Sequence, residues 1–282
     1  MFNKMKCLTF PDTGKIFVHT RSEAKFIYDE IFNKKDYLQH GIELKQGDIV
    51  FDVGANIGLF TLFADKACNH GGTIFAFEPI PDNFMILQKN ISRHGLSDRV
   101  KLFNAGLTHL DGPEEAIFSY YPKMSGNSTM KTDEKEESYR STGPDEIIKM
   151  LKDTNPVIYY FLMAAYPFRR GLIRMNIAKS LKAKKIRCRL LNLSEVMRTH
   201  DVPVIDLLKI DVEGAEMDIL KGIDDSAWPK IRQIAMEIHD IEKRLKKIME
   251  LLNDKGYRFI SAQKPRWSEL LNSDTYNLYA RR

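Results

Sequence analysis

The sequence has few cysteines, no long apolar run and no strong excess of one charge, and each shortage removes a class of protein. Cys7, Cys68 and Cys188 are odd in number, far apart and without C-x-x-C spacing, so neither a disulfide framework nor a thiolate zinc site is indicated. That usage fits a reducing compartment. No stretch approaches the roughly 20 apolar residues of a membrane span, and the opening MFNKMKCLTFPDTGK holds no signal-peptide core. The expectation is a cytoplasmic protein. A net charge of +5 over 282 residues is too small by itself to imply a nucleic-acid partner. What remains is a globular composition with enough chain to bury a sizeable core.

The most informative stretch is DIVFDVGANIG, residues 48–58. Ile49, Val50, Phe51 and Val53 read as a central parallel strand, which is apolar because both of its faces are covered. Asp52 interrupts the run near its carboxyl end, where open α/β sheets bind ligands. Gly54 and Gly58 let backbone approach a ligand closely, with Asn56 between them. The third glycine of a dinucleotide fingerprint is missing, which argues against a pyrophosphate. Twenty residues after Gly58, Glu78 closes a second apolar strand at the place where such folds present an acid to ribose hydroxyls. Asp52 and Glu78 together suit a ligand with an amine and a ribose and no phosphate, which describes S-adenosylmethionine.

Ser22 is placed to cap a cover helix, and Asp82 to cap a helix after Glu78. Tyr37 and His40 lie between the cover helix and the first sheet strand, close in sequence to the glycine turn. Val100 to Phe103 reads as a third strand ending in Asn104-Ala105-Gly106, small residues that leave room for a flat ring such as adenine. A later strand, Ile205 to Ile210, ends in Asp211 and runs into VEGAE, so Asp211, Glu213 and Glu216 gather beside the Asp52 turn. The next strand, IRQIAMEI, ends in His239, two residues after Glu237 and on its face. An imidazole oriented by Glu213 or Glu237 takes a proton from a hydroxyl as a methyl group arrives. The alternative, ranked second, is that Asp211, Glu213, Glu237 and His239 ligate a hard divalent cation, since acids gathered at strand ends also arise from cofactor recognition. Two closing strands without a helical pattern between them imply a terminal antiparallel hairpin.

Three regions follow: a helical cover over 1–46, a core over 47–120 and 187–282, and an insertion over 121–186. Within the insertion, residues 155–168 carry no charge, while residues 169–189 carry nine Lys or Arg and no acid. The plain reading is a helical lid with a solvated basic face. The sharper one is a docking face for a carrier protein, a membrane surface or another subunit. Nucleic acid ranks last, because no stacking aromatics interleave with the basic residues.

With VFDVGANIGLFTLFA, FAFEP, LLKIDVEGAEMDILKGI and IRQIAMEIHD in view, the chain resembles the FkbM family of S-adenosylmethionine-dependent methyltransferases. It is most similar to members that O-methylate polyketide and peptide natural products. The resemblance covers residues 21–120 and 187–282 and leaves the insertion aside. It implies an α/β fold with a Rossmann-like seven-stranded class I methyltransferase sheet, and a cofactor motif on Asp52, Gly54, Asn56 and Gly58. It further implies a ribose acid at Glu78, an acidic motif at Asp211 and Glu213, and His239 acting with a Glu as a metal-independent base. The expected acceptor is a free or carrier-bound hydroxyl compound; the alternative is a catalytically silent module that docks through residues 155–189.

Overall fold

At the centre of the computed structural model, which describes residues 6–132, 143–154, 156–180 and 182–282, lies the apolar run Ile49–Val53. An N-terminal hairpin of β1 (Lys6–Phe10) and β2 (Gly14–Val18) precedes this strand, β3. β4 (Thr73–Phe77) and β5 (Val100–Phe103) flank β3 on one side, and β9 (Ile205–Ile210) and β10 (Ile231–His239) on the other. β11 (Phe259–Gln263) and β12 (Thr275–Arg281) complete a seven-stranded sheet in the order β11-β12-β10-β9-β3-β4-β5. Only β12 runs against its neighbours, pairing antiparallel with both β10 and β11. This is the expected class I methyltransferase sheet with its terminal hairpin.

Alternation along β3 sends Val50 and Asp52 to one face and Phe51 and Val53 to the other. On the first face pack α1 (Arg21–Tyr28), α2 (Leu59–Ala67) and α3 (Pro81–Arg93). On the second lie α7 (Leu193–Thr199), α8 (Glu216–Leu220) and α9 (Arg244–Asp254). The two apolar clusters sandwich the sheet, so the carboxyl ends of β3, β4, β9 and β10 form the one rim where polar groups can converge.

β6 (Gly106–Leu107), β7 (Glu115–Tyr120) and β8 (Lys184–Leu191) form a second sheet in the order β6-β8-β7. Between β7 and β8 the insertion is mainly helical, with α4 (Pro144–Thr154), α5 (Pro156–Ala164) and α6 (Arg169–Ser180). Most of its acidic segment, residues 133–142, lies outside the described residues.

Several local expectations need correction. The cover over 1–46 is not purely helical, because the first two strands form a hairpin whose Ile16 and Val18 are buried and whose Phe17 backbone is bonded by Asn90 of α3. Ser22 lies inside α1, and Thr20 is the N-cap. Asp82 lies in the first turn of α3 behind Ile80, because Pro81 has its φ set for a helix start. After α1 the chain continues as a π turn, Asp29–Asn33. A short helix, α10 (Arg266–Leu270), interrupts the terminal hairpin.

Candidate active site

Where β3 ends, Gly54 adopts φ +81°, and a Cβ there would stand 1.8 Å from the carbonyl oxygen of Asp211. Glycine is therefore required twice over, by conformation and by the closeness of two backbones. The amides of Gly54 and Ala55 donate to the Phe77 carbonyl, joining the turn to β4. Asn56 also has positive φ, 49°. Gly58, at φ +90°, starts α2 and leaves room for Leu87, which would be 2.6 Å from a Cβ.

Glu78 lies buried at the end of β4. One oxygen accepts the Asn56 amide at 2.8 Å, and the other accepts the Ile80 amide at 2.9 Å and the Asn83 side chain at 3.2 Å. Burial pushes the carboxyl up to about 7 against the pull of these bonds and of Lys209. Asn104 donates to the carbonyls of Glu78 and Pro79, and Ala105 is buried beside them. Asn56, Glu78, Asn104 and Ala105 thus share one rim.

Asp52 is not open to that rim. It is fully buried, accepting Thr61 Oγ1 at 2.6 Å and Lys209 Nζ at 3.0 Å. Lys209 stands directly across from it in the β3–β9 register and also donates to the Gly54 carbonyl at 2.9 Å. Burial works against the ammonium, but Asp52 and Asp211 outweigh it and raise its pKa above the usual lysine value. Asp211 sits 3.6 Å from the ammonium and accepts the Tyr37 hydroxyl at 2.8 Å. Tyr37 therefore reaches the site. His40 does not: it lies at the outer strands, with Gln263 at 3.0 Å and Tyr279 beside it.

A second cluster begins two residues past Asp211. His239 places Nε2 2.8 Å from Glu213 and 3.8 Å from Glu237, and Nδ1 2.9 Å from Glu216. Glu216, held against Nδ1, in turn accepts the Gly214 amide and Arg244. Burial alone would lower the imidazolium pKa, but the charge and hydrogen bond of Glu213, joined by Glu216, raise it well above the ordinary histidine value. Glu30, carried by the π turn, faces Glu237 and Asp211 from the cover; burial first, then Glu237, raises its carboxyl well above the usual range.

Sequence reasoning missed Lys209, Arg244 and Glu30, and placed Glu216 nearby without a role. The signal for Lys209 was available: a charge inside the apolar run LLKI must find a partner.

A strap from the start of the insertion crosses both clusters. The Gly126 amide and Ser125 hydroxyl donate to Glu23 of the cover, at 2.8 and 3.1 Å. Asn83 reaches the Ser125 carbonyl, Thr129 donates to the Glu213 carbonyl, and Lys131 pairs with Asp218 at 3.0 Å.

The profile of the methyltransferase FkbM domain matches residues 52–259, which takes in the insertion and both clusters apart from Tyr37 and Glu30. The chain belongs to the FkbM methyltransferase family. Among curated FkbM-like proteins, it is 32% identical over 272 residues to 31-O-demethyl-FK506 methyltransferase FkbM of Streptomyces tacrolimicus, covering 94% of each chain. It is 30% identical to methyltransferase sdnD of Sordaria araneosa, covering 91% of this chain and 90% of that one. It also matches AMB antimetabolite synthetase AmbE of Pseudomonas aeruginosa at 33% identity, covering 92% of this chain and 12% of that much longer one. This FkbM-family chain is a methyltransferase.

Proposed function

We propose that the protein transfers a methyl group from S-adenosylmethionine to a hydroxyl of a small polyketide-like, peptide-like or sugar-containing molecule, free or carrier-bound. One observation carries the reading: a glycine turn edged by Glu78 and Asp211 adjoins a histidine with three carboxylates within 3.8 Å of its ring. The donor set fits the cofactor. Glu78 has acceptor capacity for ribose hydroxyls, Asp211 presents a carboxylate for an amine, and Asn104-Ala105 leaves space for a flat ring. Bound there, the cofactor supplies a methyl group on a sulfonium leaving group.

The chain's own work is to align the acceptor and to remove its proton. Glu216, held by Arg244 and the Gly214 amide, fixes the His239 ring through Nδ1. The acceptor hydroxyl enters at the Nε2 side, where Glu213 lies, and gives its proton to the His239–Glu213 pair. Asp52 acts from below, by holding Lys209 and through it the Gly54 carbonyl.

Isothermal titration of metal-stripped protein with S-adenosylmethionine tests the donor. Binding is expected without added metal, and Asp52→Ala is expected to weaken it by about tenfold or more, since it leaves a buried ammonium without its closest counter-ion. No binding by the folded protein overturns the reading.

The same titration has an expected pH dependence. The folded-state value of Glu78, about 7, lies above the ordinary 4.5, so the empty fold favours the protonated acid and loses stability as pH rises from the ordinary value toward 7. Ribose hydroxyls favour the ionised form. Affinity is therefore expected to climb with pH, by up to about tenfold per unit, until Glu78 is ionised, and then to level off. Glu78→Gln should flatten the curve. A flat curve in the unaltered protein would remove Glu78 from the contact.

A further inference from the structure

The hairpin of α5 and α6 holds most of the large exposed apolar side chains among the described residues: Tyr160, Met163, Tyr166, Phe168, Leu172 and Met175. Tyr166 and Phe168 at its tip are 71% and 75% exposed. Its inner side is already used, since Ile173 packs with Leu162 and with Ile148 of α4, and Arg170 pairs with Asp145 at 2.6 Å. Phe168, Leu172 and Met175 recur at i, i+4 and i+7, which puts them on one face of the helix, turned away from Ile173. Among the described residues, none of these three joins an apolar core cluster.

Charge accompanies this face. The Arg169 guanidinium stands 5.0 Å over the Tyr166 ring and Arg174 is exposed. The complementary partner is anionic and accepts apolar side chains.

We infer that this hairpin seats the enzyme on an anionic lipid surface. Tyr166, Phe168, Leu172 and Met175 enter the boundary between headgroups and acyl chains, while Arg169 and Arg174 meet the phosphates. Two features favour lipid over an acidic carrier protein. The aromatic side chains project from the tip of a hairpin, and a folded partner needs a matching pocket for each, whereas a bilayer needs none. Aromatic and arginine side chains side by side also match the layered chemistry of the interface, apolar below and charged above. None of the described helices is long and apolar enough to cross a membrane, so the contact is peripheral and reversible.

Co-sedimentation of the full chain with phosphatidylcholine vesicles, with and without phosphatidylglycerol, tests this. Binding is expected only where phosphatidylglycerol is present, and to weaken as salt is raised. Tyr166→Ser combined with Phe168→Ser is expected to lower partitioning by about tenfold or more. Arg169→Glu combined with Arg174→Glu should lower it by about fivefold or more for each arginine replaced. Both double variants should bind S-adenosylmethionine as the unaltered protein does, which separates loss of docking from loss of the site. The arginine pair keeps the test decisive if the aromatic pair disturbs the hairpin. Failure of the unaltered chain to bind anionic vesicles, or undiminished binding by both variants, overturns the inference. So does a chain that ignores vesicles and co-elutes with an acidic carrier protein.

Discussion

Gly54→Ala is expected to abolish cofactor binding and to cost the fold more than about 3 kcal/mol. A left-handed backbone at an alanine costs about 1 to 2 kcal/mol. The added methyl also lands 1.8 Å from the Asp211 carbonyl oxygen, so β3 and β9 must separate where they join. Gly47 supplies the control: its φ is +88°, yet nothing lies within 4 Å of the position an alanine methyl would take, so Gly47→Ala carries the conformational cost alone. That variant should lose about 1 kcal/mol and bind the cofactor normally. Thermal unfolding and titration calorimetry on the pair decide the matter. Equal behaviour of the two variants would show that the close approach at Gly54 is not what shapes the site.

His239→Ala is expected to lower kcat by about 10²- to 10⁴-fold while leaving cofactor affinity close to normal. The pH profile carries more information than the loss. A base must be unprotonated to work, and Glu213 and Glu216 hold the imidazole well above its ordinary value. Turnover should therefore rise with pH, with its midpoint on the alkaline side of an ordinary histidine. Glu216→Gln removes one of the carboxylates responsible and should move that rise to lower pH, while also loosening the ring. An unshifted profile, or full turnover by His239→Ala, would take the imidazole out of the proton transfer.

Much of the fold was legible because its determinants are local. The run IVFDV, the two glycines after it and the acid closing TIFAF each announce a strand, a turn or a strand end within a few residues. The final antiparallel pair was read from the lack of a helical pattern between the last two strands, the seven strands were implied by the family resemblance, and the strand order comes from the structure alone. The candidate site was legible to the level of strand ends: Glu213 and His239 were expected together and are in contact, with Asp211 in the adjoining cluster. Its internal wiring was not. Asp52 looked like a ligand-facing acid, and only the pairing of β3 with β9 shows Lys209 across from it. Glu213 was expected to orient the histidine and does contact Nε2, but the start of α8 also turns Glu216 onto Nδ1. Register between distant strands and the rotation of a short helix are set by packing, which leaves no mark on neighbouring residues. The N-terminal hairpin escaped for a different reason: two five-residue strands around a turn carry too little alternation to stand out.

The Lys209–Asp52 pair joins residues 157 positions apart, and the insertion lies within that loop. The pairing of these strands is thus a non-local contact, and through Lys209 it holds the carbonyl of the glycine turn. The length of the loop matters little to the final balance. Cutting out roughly 60 residues of insertion would lower the closure cost by only ~0.4 kcal/mol, because that cost grows with the logarithm of length. As far as chain closure is concerned, the α5–α6 hairpin is nearly free to enlarge or shrink, so the surface it presents can diverge while the strap at residues 125–131 and the chemistry beneath it stay fixed.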